Sequence, residues 1–236
     1  MTKFIAVASG KGGVGKTTVA ISLAQALFDQ QRSVILVDGN LVTPHVGLHL
    51  GVLNPQGSLN AFLRKEKSLQ EITYLHESGL SFIPASPSYE EFQKTNPESL
   101  GELFEHLDGI ADFVVVDAPG GLGYETQQVF KQCEEVLLVI TPTLSAVMDA
   151  LKTVRAAEGQ GLIVAGIVAN MVHGRHELKK EEVEAIMGHP LLARIKYDQK
   201  IRKAAHRSLP LPYAYPRCRS AREFRTIAEH LCLMKR

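Results

Sequence analysis

Ser9-Gly10-Lys11-Gly12-Gly13-Val14-Gly15-Lys16-Thr17-Thr18 is the stretch from which the rest of the chain can be read. Gly10, Gly15, Lys16 and Thr17 fall on the pattern G-x-x-x-x-G-K-[ST], the phosphate-binding loop. The flanks agree with it. Phe4-Ile5-Ala6-Val7-Ala8 before it is a short apolar run with the character of a buried strand. Val19, Leu23, Ala26 and Leu27 after it recur at helical spacing. Strand, glycine loop and helix, in that order, give the motif its meaning.

The chemistry follows from the residue types. Glycines let the backbone curl so that successive N–H groups point at a phosphate. The helix N-terminus adds unpaired donors and the positive end of a dipole. Lys16 supplies a point charge to the β- and γ-phosphates. The Thr17 hydroxyl suits Mg²⁺, which takes oxygen ligands. Gly10, Lys11, Gly12, Gly13, Val14, Gly15, Lys16, Thr17 and Thr18 are accordingly assigned to a bound nucleotide.

Further strands are expected at Ser33–Asp38, Leu80–Pro84, Asp112–Asp117, Val136–Thr141 and Leu162–Val168. Helices are expected at 59–63, 100–107, 125–133, 144–156 and 179–187. A last amphipathic helix carries Ala221, Phe224, Ile227, Ala228 and Leu231. Gly39–Gly51 and Pro87–Ser99 read as irregular. Strands alternating with helices imply an α/β fold, a mostly parallel central sheet with helices on both faces. No internal repeat or linker interrupts residues 1–236, so a single P-loop domain is expected.

Composition sets bounds. Of 236 residues, 45% are hydrophobic and 22% charged, which suits one α/β domain. No stretch is apolar enough to span a bilayer, and the first strand begins too early for a signal peptide. Cys133, Cys218 and Cys232 are sparse, odd in number and scattered, as in a reducing compartment. A cytoplasmic protein is expected. Net charge is +1, but 15 Lys and Arg stand against 7 Asp and Glu from His173 onward. Such a part suits nucleic acid or anionic lipid. Its interspersed acids and lack of an aromatic ladder favour an ordinary solvated surface.

Lys11, directly after the first glycine, narrows the class. The run Lys11–Thr18 resembles the deviant Walker A motif of the MinD/ParA class of P-loop ATPases. The run Asp38–Gly51 is most similar to archaeal MinD-like members. The resemblance implies that Lys11 reaches across an ATP-dependent homodimer to the partner's nucleotide. Asp117 ends an apolar strand, the Walker B pattern, and is assigned with Thr17 to the metal; the resemblance implies that Asp38 also lies at the metal. Asp117-Ala118-Pro119-Gly120-Gly121 is similar to the family's D-x-P-x-G switch. Where the family reads D-x-D, this chain reads Asp38-Gly39-Asn40. An amide orients water but accepts no proton, which bears on the hydrolysis rate. Lys11, Lys16, Asp38 and Asn40 form the expected catalytic set.

Asn170, after the strand ending at Val168, has the donors and acceptor to read an adenine edge, and a turn-forming Asn is the other reading. The resemblance favours the base, and places Pro216 against it. No N-K-x-D guanine signature occurs, so ATP/ADP with Mg²⁺ is expected rather than GTP. His45 with His49, and His173 with His176, lack a third ligand and are not read as metal sites. No C-x-x-C pair suits an iron–sulfur cluster.

The implied function is a slow ATP-hydrolysing switch in spatial regulation of cell division or in positioning of cellular assemblies. The alternatives are a ParA-like DNA-partitioning ATPase and a nucleotide-dependent scaffold with little turnover. An unidentified protein partner is preferred to DNA. The chain ends at Lys235-Arg236 without the amphipathic tail of membrane-binding MinD proteins, so stable membrane anchoring is not expected.

Overall fold

The computed structural model describes residues 1–174 and 176–234. The closing Lys235-Arg236, on which the expectation about a membrane tail turned, lies outside them. Eight strands form one sheet: β1 (Lys3–Ser9), β2 (Val34–Asp38), β3 (Tyr74–Leu75), β4 (Ser81–Ile83), β5 (Phe113–Gly120), β6 (Glu135–Ile140), β7 (Ile163–Val172) and β8 (Leu191–Lys196). Their order is β3-β4-β2-β5-β1-β6-β7-β8. Every pairing is parallel except β3 with β4.

Near-continuous apolar runs build this sheet because both of its faces are covered. In β1, Phe4, Ala6 and Ala8 enter one core with the helices Leu100–Leu107, Tyr124–Phe130, Leu144–Gly159 and Lys180–Met187. Ile5 and Val7 enter the other with Lys16–Asp29 and Arg219–Leu233. The apolar stripe of the last helix, Ala221 through Leu231, is wholly buried there. Among the described residues no helix is long and apolar enough to cross a membrane.

The sheet places the site. The chain leaves β1 toward β2 on one side and later fills β6 on the other, so β1 is the switch point of the topology. Ligands of open parallel sheets sit outside the carboxyl ends of strands at such a point. The loop Gly10–Gly15 begins there.

Some elements differ from expectation. Gly39–Gly51 contains a short helix, Val46–His49, and Pro87–Ser99 contains another, Tyr89–Gln93, with a 3₁₀ turn at Pro97–Ser99. Ser88 and Asn96 cap these through their side chains, and such caps stabilise short segments that periodicity cannot reveal. β7 runs on to Val172, so Asn170 lies inside the strand instead of after it. The edge strands β3 and β8 and the helices Leu69–Ile72, Gln199–His206 and Leu211–Ala214 were not foreseen.

Candidate nucleotide site

The glycine loop is held from beneath by backbone. A Cβ at Gly10 would lie 2.4 Å from Asp149 C and Ala150 N, so only glycine lets the loop sit on the helix Leu144–Gly159. Gly15 takes φ +83° as it caps the helix Lys16–Asp29. Gly121 closes the other wall by donating its N–H to Ser9 O at 2.9 Å.

Two carboxylates face the loop. Asp38 and Asp117 are register partners on β2 and β5. Asp117 Oδ1 accepts from Lys16 Nζ at 3.1 Å, and its Oδ2 accepts from Thr17 Oγ1 at 2.5 Å. Asp38 is fully buried and accepts three backbone N–H groups: Asn40 at 3.2 Å, His45 at 3.0 Å and Val46 at 2.9 Å. These bonds favour its charged form, but burial, with Asp117 beside it, outweighs them and pushes the carboxyl up to about 8. Oxygen donors from Thr17, Asp38 and Asp117 thus gather beside Lys16, the hard donor set that suits Mg²⁺.

A cleft of about 450 Å³ opens over the loop, lined by Lys11, Lys16, Thr17, Asn40, Gly120 and others. Such a volume fits a small-molecule ligand. Lys11 is half-buried, and its ammonium makes no hydrogen bond or ion pair with the described residues. Asn40 differs. Its Nδ2 donates to Thr43 O at 2.7 Å and Thr43 Oγ1 at 3.0 Å, while its Oδ1 accepts from Thr43 N at 3.1 Å. The amide expected to orient water is engaged in closing its own turn.

A second, smaller cavity adjoins the loop at Thr18. It is lined by Asn170, Met171, Lys196, Tyr197, Asp198 and Arg202, among others. Asn170 is buried there and donates to Val14 O at 2.8 Å. Pro216 is not part of it. That residue is exposed, its carbonyl accepts from Arg225, and it lines neither cavity. The wall opposite Asn170 comes instead from the end of β8 and the helix after it. Sequence reading missed this wall because β8, Leu191-Leu192-Ala193-Arg194-Ile195-Lys196, is interrupted by Arg194 and Lys196 and lacks the apolar run of a central strand. The available signal was its strand-like alternation, Leu191, Ala193 and Ile195 inward, ahead of the Asp198 cap.

Among the described residues no histidine belongs to a cluster that could hold a metal ion. His45 and His49 pack edge to face with ring centroids 6.3 Å apart, and His173 stacks on Tyr197 at 5.1 Å. Cys133 and Cys218 are buried and far apart in sequence, and Cys218 caps the last helix by accepting from Ala221 N.

Residues 5–211 match the CobQ/CobB/MinD/ParA nucleotide binding domain. The chain belongs to this MinD/ParA family. An uncharacterized ATP-binding protein of Methanocaldococcus jannaschii is 31% identical over 228 residues, covering 96% of this chain and 86% of that protein. The crystal structure of the cell division ATPase MinD of Pyrococcus furiosus is 32% identical, with a TM-score of 0.93 and 98% of each chain covered. The septum site-determining protein MinD of Pyrococcus horikoshii, complexed with Mg-ADP, is 31% identical over 98% of this chain and 96% of that one, with a TM-score of 0.93. The α/β fold with its mostly parallel sheet is that of the MinD/ParA P-loop ATPases, and the chain is an ATPase of this class.

Proposed function

We propose that the protein is a Mg·ATP-driven switch of the MinD kind, cytoplasmic, that dimerises on ATP and acts in placing the division site or another cellular assembly. The observation that carries this reading is the convergence of Lys16 and Thr17 on Asp117, with Asp38 in register beside it. Loop N–H groups and Lys16 bind the β- and γ-phosphates. Thr17, Asp38 and Asp117 would hold Mg²⁺, which on binding neutralises charge on the β- and γ-oxygens. Lys16 then leaves Asp117 for the phosphates and stabilises charge as the γ-phosphoryl is transferred to water. Lys11, whose ammonium has no hydrogen-bond or ion-pair partner among the described residues, is available to serve a second subunit. Asn170 faces the adenine, and Asn40, closed on Thr43, offers the attacking water no carboxylate.

Calorimetry with Mg·ATP, Mg·ADP and Mg·GTP tests the assignment. Adenine nucleotides should bind and GTP should bind more weakly; preference for GTP would overturn the base assignment. Lys16→Ala should reduce ATP affinity by on the order of a hundredfold, since a charge-assisted contact and its positive point charge are both lost.

A second reading has its own observation. The Asn40 amide is closed on Thr43, so a nucleotide-dependent scaffold with very slow turnover suits the geometry as well. Phosphate release measured with and without a cellular extract separates the two.

A further inference from the structure

We propose that Asn170 is a positioning residue that latches the phosphate loop to β7, so that one amide sets both the phosphate cradle and the base cavity. This rests on the nucleotide-binding reading above and deepens it.

The latch is a buried bond. Asn170 Nδ2 donates to Val14 O at 2.8 Å, and Asn170 is 4% and Val14 2% exposed. Val14 lies inside the loop, between Gly13 and Gly15. The neighbouring residue makes room for it: a Cβ at Gly15 would stand 2.4 Å from that same Nδ2 and 3.1 Å from Met171 Cε. The amide therefore lies in the space that a side chain at 15 would fill.

The strand is bent at the same place. The pairing of β7 with β8 shifts register between Ala169 and Val172, the two residues that flank Asn170 and Met171. Met171 holds φ +55°, uncommon for any residue but glycine. Bulges beside binding sites re-aim side chains, and local backbone strain gathers at such places. A base-reading residue alone does not need the bulge. A residue that must also reach the loop carbonyl accounts for it, and Gly15, required by its own φ of +83°, leaves the room.

The amide has capacity for two tasks. One N–H is spent on Val14 O. The second N–H and Oδ1 remain for a base in the cavity lined by Asn170, Tyr197 and Asp198. Fixing the first bond orients the other two groups, so loop order and base recognition rise and fall together.

The test uses the full chain as wild type, Asn170→Ala and Asn170→Asp. Two quantities are read: calorimetric affinity for Mg·tripolyphosphate, which has no base, and for Mg·ATP, and hydrogen exchange at the 14–16 amides without nucleotide. Both variants should exchange faster at those amides and bind tripolyphosphate roughly tenfold more weakly, the size of one lost buried hydrogen bond. Asn170→Asp should be the worse of the two, because it sets a carboxylate against the Val14 carbonyl. Unchanged exchange, with tripolyphosphate affinity within about twofold of wild type and only ATP weakened, overturns the latch and leaves Asn170 a base reader. If circular dichroism shows both variants unfolded, Asn170→Ser decides by the same two readings. Should wild type bind neither Mg·ATP nor tripolyphosphate, the nucleotide reading fails while the exchange comparison still decides the latch.

Discussion

Asn40 and Asp38 stand two residues apart and are spent in opposite ways. The Asn40 side chain is used up on Thr43, whereas Asp38 holds a loop in place through three backbone donors. Asn40→Asp replaces both Nδ2 donors with an oxygen that faces Thr43 O, which breaks the turn closure and frees a carboxylate into the cleft. Phosphate release with Mg·ATP should then rise by on the order of a hundredfold, the low end of what a general base contributes. An unchanged rate would show that residue 40 does not set turnover. For Asp38 the variable is pH. A free Asp titrates near ~3.9, while Asp38 is pushed up to about 8. Between those values the folded chain keeps a proton that the unfolded chain has lost. Stability of the nucleotide-free protein is therefore highest below the lower value and falls as pH rises through the window. Asp38→Asn cannot titrate, so its melting temperature should vary less than that of wild type from about pH 5 to about pH 8. Parallel curves would place the titration elsewhere.

At the scale of elements, the glycine loop works because of what it lies on. Gly10→Ala would drive a methyl group into the backbone at Asp149 and Ala150. The loop must lift or the helix Leu144–Gly159 must shift, at a cost of about 1–3 kcal/mol. Thermal melting should show that loss, together with weaker ATP binding; a variant with wild-type melting would mean that the contact relaxes freely. This support comes from residues far away in the chain, and nothing in Gly10 or Asp149 announces it. The central elements were legible for a physical reason. β1, β2, β5, β6 and β7 are buried on both faces, so their sequences are nearly unbroken apolar runs bounded by Asp, Gly or Thr. Lys16, Thr17 and Asp117 were legible because the motif ties residue type to position, and the structure brings all three together. The edge elements were not. β3 has only two residues, and β8, buried on one face, shows only a short alternation in place of a continuous apolar run. Pro216 lines neither cavity, and its assignment leaned on similarity in a region where Gln199–His206 and Leu211–Ala214 went unseen. Asn170 was singled out from its place near a strand end, but its bond to Val14 accompanies a register shift in β7 that no local sequence signal specifies.

For the whole molecule, the question is what the ATP state is presented to. Dimerisation comes first. Lys11→Ala should abolish ATP-dependent dimerisation in light scattering while leaving ADP binding by the monomer within a few-fold, since the Lys11 ammonium makes no hydrogen bond or ion pair with the described residues. A mutant that dimerises normally would make this an ordinary phosphate loop.

An ATP-dependent dimer would double whatever surface each subunit carries, and the basic C-terminal part is the strongest candidate for DNA. Arg217, Arg219 and Arg222 are exposed around the start of the last helix, and Lys200, Lys203 and Arg207 are exposed on and after the helix Gln199–His206. Not all of this charge is free. Arg219 Nε lies 3.7 Å from Glu223 Oε1, and Arg225 is bonded to Pro216 O, which leaves a patch weaker than its residue count suggests. No aromatic ladder accompanies it for stacking bases. A protein partner therefore suits the surface better. The deciding measurement is a DNA shift with and without ATP at low and moderate salt. Phosphate contacts release counterions, so genuine binding should weaken steeply with salt and strengthen with ATP as two patches act together. The expected result is weak binding that ATP does not enhance. ATP-dependent, salt-sensitive binding that is removed by Arg219→Glu together with Arg222→Glu would make this a DNA-partitioning ATPase instead.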